Sequence, residues 1–424
     1  MKICLLEPCD DSDSGSIGSW YIAVHAQRAG YPVDILRKPK RGYDIELVSL
    51  HHCRDFVRLA QLPRSGGIRI VGGHPMQNNP RPAIPFADVI CIGEGESWIK
   101  QALPLLERYN DPACLRDLPG TIISALWKFG DPVPAANIER PLPENPPYLN
   151  REEESRKKAW YIEIARGCPY HCAFCELGHS TPFRIYSREE IARCLDQADM
   201  KITRKINFFA PDEMSHPDYH ELLAYLKERG YAASFSSMRI DSILRKGVPD
   251  LHSNHLIRVG IDGLTEATRK RVGKPITNDM ILEYFALLIE RGHSYFKMFY
   301  MFGYPWENLS DFDEFEQLMS DLQMAIPLKK NIMLRIKWTP FIPQPCTPLA
   351  KAGSKYDPEM VARIRTWHAL HKCPKDYFVH SNKLGWFIDM DGDVMGLPRY
   401  MRECELTAGD ERLLQHSFSP LHRI

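Results

Sequence analysis

The chain has 424 residues, 44% of them hydrophobic and 25% charged, with Lys+Arg and Asp+Glu both totalling 54. That length accommodates two or three domains. The neutral balance excludes the basic footprint of a protein that grips long nucleic acid and the excess acid of a solvating tail.

The opening MKICLLEPCDDSDSG turns acidic at once, unlike a signal peptide. No run of about 18 apolar residues occurs, so no membrane-spanning helix is expected. Twelve cysteines, mostly scattered, then read as reduced thiols, and the expected location is cytoplasmic.

Residues 1–110 alternate strand and helix patterns. KICLLEP is a short apolar strand, and SIGSWYIAVHAQRAGY an amphipathic helix ending at Gly30. VDILR (33–37), IELVSL (45–50), IRIVGGHP (68–75) and DVICIGEGE (88–96) read as further strands, the last two ending in glycines, and SWIKQALPLLERY as a helix. This pattern predicts a doubly wound parallel sheet with its ligand at the strand C-termini. Residues 111–155 read as a linker, because DPVPAANIERPLPENPPYLN carries six prolines in twenty positions.

From residue 156 the alternation resumes. Six strand-like segments, YIEIA (161–165), INFFA (206–210), AASFSS (232–237), LIRVGI (256–261), FKMFYMFG (296–303) and IMLRIKWT (332–339), alternate with helical patterns. Six β/α units predict a partial (β/α)6 TIM-type barrel over 156–345, with its active site at the strand C-termini. Residues 346–424 are an irregular extension in which WFIDMDGDVMGL reads as a hairpin.

The first strand of the second domain leads into RGCPYHCAFCELGH, with Cys168, Cys172 and Cys175 in eight positions. Thiolates so spaced can share one metal centre. Tetrahedral zinc needs a fourth ligand, for which His171 and His179 are candidates, or a three-cysteine catalytic site. An iron–sulfur cubane fits better, with one iron lacking a protein ligand and open to a cofactor. Unligated structural cysteines are the bland alternative.

The spacing C-x3-C-x-aromatic-C, with Phe174 in the aromatic place, resembles the signature of the radical S-adenosylmethionine (SAM) enzymes. The resemblance implies that the three cysteines hold a 4Fe-4S cluster and that SAM chelates the fourth iron. Reduction then cleaves SAM to a 5′-deoxyadenosyl radical that takes hydrogen from an unactivated carbon. It implies SAM contacts at Phe174, at Asp212 and Glu213 in FFAPDE, at Ser236, Arg239 and Asp262, and at Gly303 in FGYPWE. It also implies a reducing partner such as flavodoxin or ferredoxin. Each residue has a plain reading beside this one, a solvated loop for the acids and a surface ion pair for Arg239.

A wider resemblance, carried by VGGHP, CIGEGE, LPG at 118–120, PLPENPPYL and TPFIPQPCTPL, is to radical SAM enzymes with an N-terminal cobalamin-binding domain. It implies cobalamin contacts at Asp13, Gly15, Gly18, Ser49, Gly72, Gly73, Gly93 and Gly95. One position departs from the family. Its motif is D-x-H-x-x-G, and DSGSIG places Gly15 where the cobalt-binding histidine would stand. Glycine has no donor atom to offer. Either cobalamin binds without that ligand, or the domain is a scaffold.

The expectation is a radical SAM enzyme acting on a small molecule, peptide or nucleotide, by methyl transfer with cobalamin. Without cobalamin the reading becomes an isomerase or rearrangement enzyme, on a modified nucleobase for example; a non-catalytic metal module is the rival from another class. Cys4, Cys53, Cys91, Cys114 and Cys194 read as core residues, as do Tyr300 and Trp338.

Overall fold

The computed structural model describes residues 1–8, 16–51, 55–128, 130–139, 148–149, 159–234, 238–250, 256–325, 332–344, 346–355, 357–371 and 375–376. They fall into two compact units, Met1–Ile162 with Glu189–Thr203, and Glu163–Arg188 with Arg204–Asn382. The expected hairpin in the C-terminal extension lies outside the described residues.

The first unit runs β1 (Ile3–Leu6), α1 (Ile17–Arg28), β2 (Val33–Leu36), β3 (Ile45–Leu50), α2 (Asp55–Gln61), β4 (Ile68–Gly73), α3 (Pro75–Asn78), β5 (Val89–Cys91), α4 (Gly95–Tyr109), β6 (Thr121–Ile123), β7 (Tyr148–Leu149) and β8 (Ala159–Glu163). The order β2-β1-β3-β4-β5-β6 is doubly wound, and every neighbouring pair is parallel except β5 with β6. Successive side chains of one strand serve opposite faces, as a sheet buried on both sides requires. Ile70 and Val89 join Trp98 and Leu103 of α4 in one cluster. Their neighbours Val71 and Ile90 join Phe56 and Leu59 of α2 in the other.

Within the segment expected to be linker, Thr121–Ile123 forms β6, antiparallel to β5. Ile122 and Ile123 are buried on opposite faces of the sheet. Three apolar residues between turns give too short a pattern to stand out from the prolines that follow, and the buried partner strand decides the outcome.

The second unit begins at Glu163 and continues with β9 (Ala165–Arg166), α5 (Leu177–Ser180) and β10 (Arg184–Ile185). α6 (Arg188–Leu195) leads back into the first unit. Then follow β11 (Lys205–Phe209), α7 (Tyr219–Glu228), β12 (Ala232–Ser234), α8 (Ile240–Lys246), β13 (Ile257–Gly260), α9 (Glu266–Arg271), α10 (Asn278–Glu290), β14 (Tyr295–Phe302), α11 (Asp311–Ala325), β15 (Met333–Pro340), α12 (Pro358–His371) and β16 (Lys375–Asp376). β11 and β12 are parallel, and β13-β14-β15-β16 form a second, wholly parallel sheet. Ile164 N donates to Phe209 O and Met238 N to Arg258 O, which carries the pairing beyond the strand ends. The result is an open barrel, with all six expected strands present.

Helix starts follow the local chemistry. Thr265 and Thr277 accept from Thr268 N and Met280 N at the first turns of α9 and α10. Strands β13 to β15 alternate strictly between two faces. Val259, Phe296, Met298, Tyr300, Ile336 and Trp338 are buried, and Tyr300 and Trp338 meet Phe315 of α11 at ring distances of 5.2 and 5.0 Å. Tyr300 and Trp338 are therefore core side chains beneath a helix. The intervening residues belong to the opposite face of the sheet, which the helices leave uncovered.

Candidate active site

The cysteine loop is built from its edges inward. Glu163, at the end of β8, takes Arg166 in a two-point pair, with Arg166 Nε 2.9 Å from Oε1 and Nη2 2.6 Å from Oε2. Gly167 then has φ +73, and a Cβ there would lie 2.4 Å from Pro182 O. No other residue type makes this turn without strain, so the loop opens on a glycine. Ala173 N donates to Val272 O at 2.8 Å and Cys175 N to Cys172 O at 3.0 Å. The loop is thus stitched to the turn after α9 and to itself.

Two histidines hold it further. A His171 ring nitrogen lies 2.8 Å from Gly178 O, and one of His179 lies 3.1 Å from Cys172 O. One nitrogen of each ring is thus engaged with a backbone carbonyl, which ties both imidazoles to the loop.

Cys172 is buried, while Cys168 and Cys175 are half-buried. Burial pushes the Cys168 thiol up, and pushes Cys175 up to about 11. The thiols also sense one another's charge. Among the described residues, no three His, Cys, Asp or Glu side chains converge on a single-ion site. A lone zinc at about 2.3 Å from each sulfur needs such convergence. A cubane needs less, because each thiolate binds a different iron.

Asp212, at 1% exposure, is the acid that faces this loop. Its Oδ2 accepts from Tyr170 Oη at 3.0 Å and from Ser242 Oγ at 2.7 Å. Its Oδ1 is buried with no partner. A buried, unmatched carboxylate oxygen is costly, and a ligand ammonium would satisfy it. Glu213 is equally buried, but its Oε2 accepts from Tyr219 Oη at 3.1 Å.

Arg239 is fixed by a two-point pair with Asp241 at 2.9 Å through both Nε and Nη2. Its guanidinium lies 3.7 Å from the Tyr170 ring centre, and Nη1 is 3.9 Å from Cys172 Sγ. Burial opposes its charge, but the Asp241 carboxylate more than offsets this and holds its pKa above the ordinary value. Tyr170 therefore joins three groups, the Cys loop, Asp212 and Arg239. Nothing in the spacing marks Tyr170, because one tyrosine between two cysteines forms no pattern.

At the strand ends of the other sheet, Asp262 adopts the left-handed φ of +59. Its Oδ2 pairs with Lys274 Nζ at 2.6 Å, and Lys274 also donates to Gly260 O at 2.7 Å. Gly303 N donates to Glu307 Oε2 at 2.5 Å, and Tyr304 N to the same atom at 3.2 Å. Glu307 is 3% exposed, and burial pushes its carboxyl up to about 7. The Phe174 ring is 6.5 Å from that of Tyr304, in a cluster with Val272 and Phe341. Ser236 lies outside the described residues. A cavity of about 450 Å³ on this loop is lined by Cys168, His171, His179, Thr181, Pro182 and Phe183, among others.

In the first unit, Asp13 and Gly15 lie outside the described residues. The neighbouring strand order places a topological switch point between β1 and β3, where ligands of such sheets bind. There Glu7 Oε1 accepts from Ser16 Oγ at 2.8 Å and lies 3.4 Å from His51 Nε2. Gly18 is in the first turn of α1, and Ser49 and Gly72 are register partners on β3 and β4. A Cβ on Gly73, Gly93 or Gly95 would meet Leu50 O at 2.0 Å, Asn137 O at 2.1 Å or Ile22 Cδ1 at 2.7 Å. Close packing within the unit thus accounts for glycine at these three positions. Cys4, Cys91 and Cys194 are buried as expected, Cys114 is half-buried, and Cys53 lies outside the described residues.

The loop geometry and the barrel coincide with a family match. The model of the radical SAM superfamily matches residues 162–319. Residues 162–319 are a radical SAM domain. Such a domain uses a 4Fe-4S cluster and SAM. The donor set fits both groups, with three thiols in one loop and an unmatched buried carboxylate oxygen for SAM's ammonium.

The chain is 24% identical over 320 residues to an uncharacterized protein of Methanocaldococcus jannaschii, spanning 72% of this chain and 68% of the relative. It is 28% identical over 149 residues to the 2-(S-pantetheinyl)-carbapenam-3-carboxylate methyltransferase of Streptantibioticus cattleyicolor, with 32% of this chain matched to 21% of that enzyme. Among solved structures, the radical SAM methyltransferase TsrM of Kitasatospora setae superposes with a TM-score of 0.59 at 13% identity, over 82% of this chain and 74% of that one. The cobalamin-dependent radical SAM enzyme OxsB does so with a TM-score of 0.58 at 14% identity, over 100% of this chain and 71% of that one. At these identities the likeness is one of fold.

Proposed function

We propose that the protein cleaves SAM reductively at a cluster held by Cys168, Cys172 and Cys175, and transfers a methyl group to an unactivated carbon with the help of cobalamin. The observation that carries the SAM half is the unpartnered, buried Asp212 Oδ1 in the same unit as the thiol loop and joined to it through Tyr170. When bound, the cluster and SAM supply the electron and the 5′-deoxyadenosyl radical.

The chain's own residues do the rest. Asp212 binds the SAM ammonium, with Tyr170 and Ser242 fixing the carboxylate through its other oxygen. Arg239 holds positive charge beside the Cys172 sulfur, which favours the thiolate needed for ligation. Phe174 packs edge-on against Tyr304 and anchors the loop to that apolar cluster. The cobalamin half is supported by the doubly wound order of the first unit and by the shared fold with OxsB over the whole chain.

Anaerobic reconstitution with iron and sulfide, then incubation with SAM and a strong reductant, tests the reading. The expected products are 5′-deoxyadenosine and methionine, from brown protein with about four irons per chain. Colourless, zinc-bearing protein that releases no 5′-deoxyadenosine would refute it.

A further inference from the structure

The face of β13, β14 and β15 turned away from the helices carries four cations. Arg258 stands opposite Lys297, and Lys297 opposite Arg335. One step nearer the strand C-termini, Lys337 stands opposite Phe299. Neighbouring strands are about 4.8 Å apart, so the row of three spans about 10 Å. Like charges directly opposite one another destabilise a sheet, so this row needs an explanation other than folding.

The side chains do not disperse. Lys297 Nζ and Lys337 Nζ lie 5.4 and 5.8 Å from the Phe299 ring centre, converging on one aromatic. Arg335 stacks at 5.2 Å on Tyr295, and its Nε is buried without a partner. Among the described residues, Arg258, Arg335 and Lys337 form no ion pair with a carboxylate. Asp262, which follows β13, is already bound to Lys274 at 2.6 Å.

We propose that this row is the anion subsite of the barrel and that the enzyme's substrate carries a phosphate or pyrophosphate group; this rests on the radical SAM reading of the barrel. A carboxylate offers two oxygens and is saturated by one guanidinium. A phosphoryl group has three strong acceptor oxygens and accepts from several cations at one-strand intervals. In this row Arg258 lies four residues before Asp262, and Lys297 six before Gly303. A substrate anchored there extends towards the strand C-termini, where those two residues stand.

The test is calorimetric titration of inorganic pyrophosphate into the reconstituted full-length protein at low ionic strength. Wild type binds, and the double variant Arg335→Gln/Lys337→Gln binds at least about tenfold more weakly, while Arg335→Lys retains most of the affinity. Saturating SAM leaves pyrophosphate binding unchanged. Without anion the double variant melts no lower than wild type, since repulsion has been relieved. The proposal is overturned if wild type does not bind, if the double variant binds equally, or if SAM displaces pyrophosphate, which would assign the row to SAM's carboxylate. A lower melting temperature in the double variant would make the row structural and would also overturn it. Failure to form 5′-deoxyadenosine refutes the proposed reaction instead, because pyrophosphate binding is read without turnover.

Discussion

Asp212 and Glu213 are adjacent, equally buried acids, and only their hydrogen bonds separate their roles. Asp212 keeps one oxygen open, whereas Glu213 is engaged with Tyr219. Replacing Asp212 by Asn removes the charge but keeps an acceptor for Tyr170 and Ser242. A charged hydrogen bond is worth about 1.5–3 kcal/mol, so SAM affinity should fall by about 10- to 100-fold with iron content unchanged. Equilibrium binding of SAM to the reconstituted variant measures this, and unaltered affinity would remove Asp212 from the site. Replacing any of Cys168, Cys172 or Cys175 by Ala should instead abolish the cluster's visible absorbance, since one thiolate cannot be borrowed from a loop that has no fourth. The three cysteines were legible because spacing alone brings them together. Tyr170, Ser242 and Lys274 were not, because each acts through a partner 12 to 72 residues away.

At the level of elements, strand alternation was the readable signal. FKMFYMFG and IMLRIKWT each put one apolar set under the helices and one mixed set on the other face, and the structure keeps both. β6 was not readable, because three residues give too little periodicity. The turn after β14 carries a consequence for pH. Glu307 caps it through Gly303 N and Tyr304 N, and burial raises its carboxyl from 4.5 to about 7. A folded pKa above the unfolded one means that the folded state holds the proton more tightly. Its contribution is greatest below pH 4.5 and is lost as pH rises towards 7, by about 3 kcal/mol. Glu307→Gln keeps an acceptor for the two amides and cannot ionise. Melting temperature followed from pH 5 to 8 should fall less steeply in this variant than in wild type. Parallel curves would show that Glu307 does not titrate in this range.

For the molecule as a whole, the open question is the corrin, and the answer turns on which atoms of the first unit can reach cobalt. The order β2-β1-β3-β4-β5 creates the crevice that the sequence predicted from alternating patterns. What the sequence withholds is a histidine at position 15. His51, just after β3 on the same crevice, places Nε2 3.4 Å from Glu7 Oε1, and that nitrogen makes no hydrogen bond. With glycine at position 15, cobalamin held there would lack the motif's imidazole beneath the metal. Hydroxocobalamin added to the full-length protein should then remain bound through gel filtration, and on reduction to Co(II) its paramagnetic resonance spectrum should show no nitrogen splitting from a histidine. Splitting that disappears in His51→Ala would show that His51 swings from Glu7 to cobalt and would refute the histidine-free site. Loss of the corrin on the column would leave the first unit a scaffold and shift the proposed chemistry from methyl transfer to rearrangement.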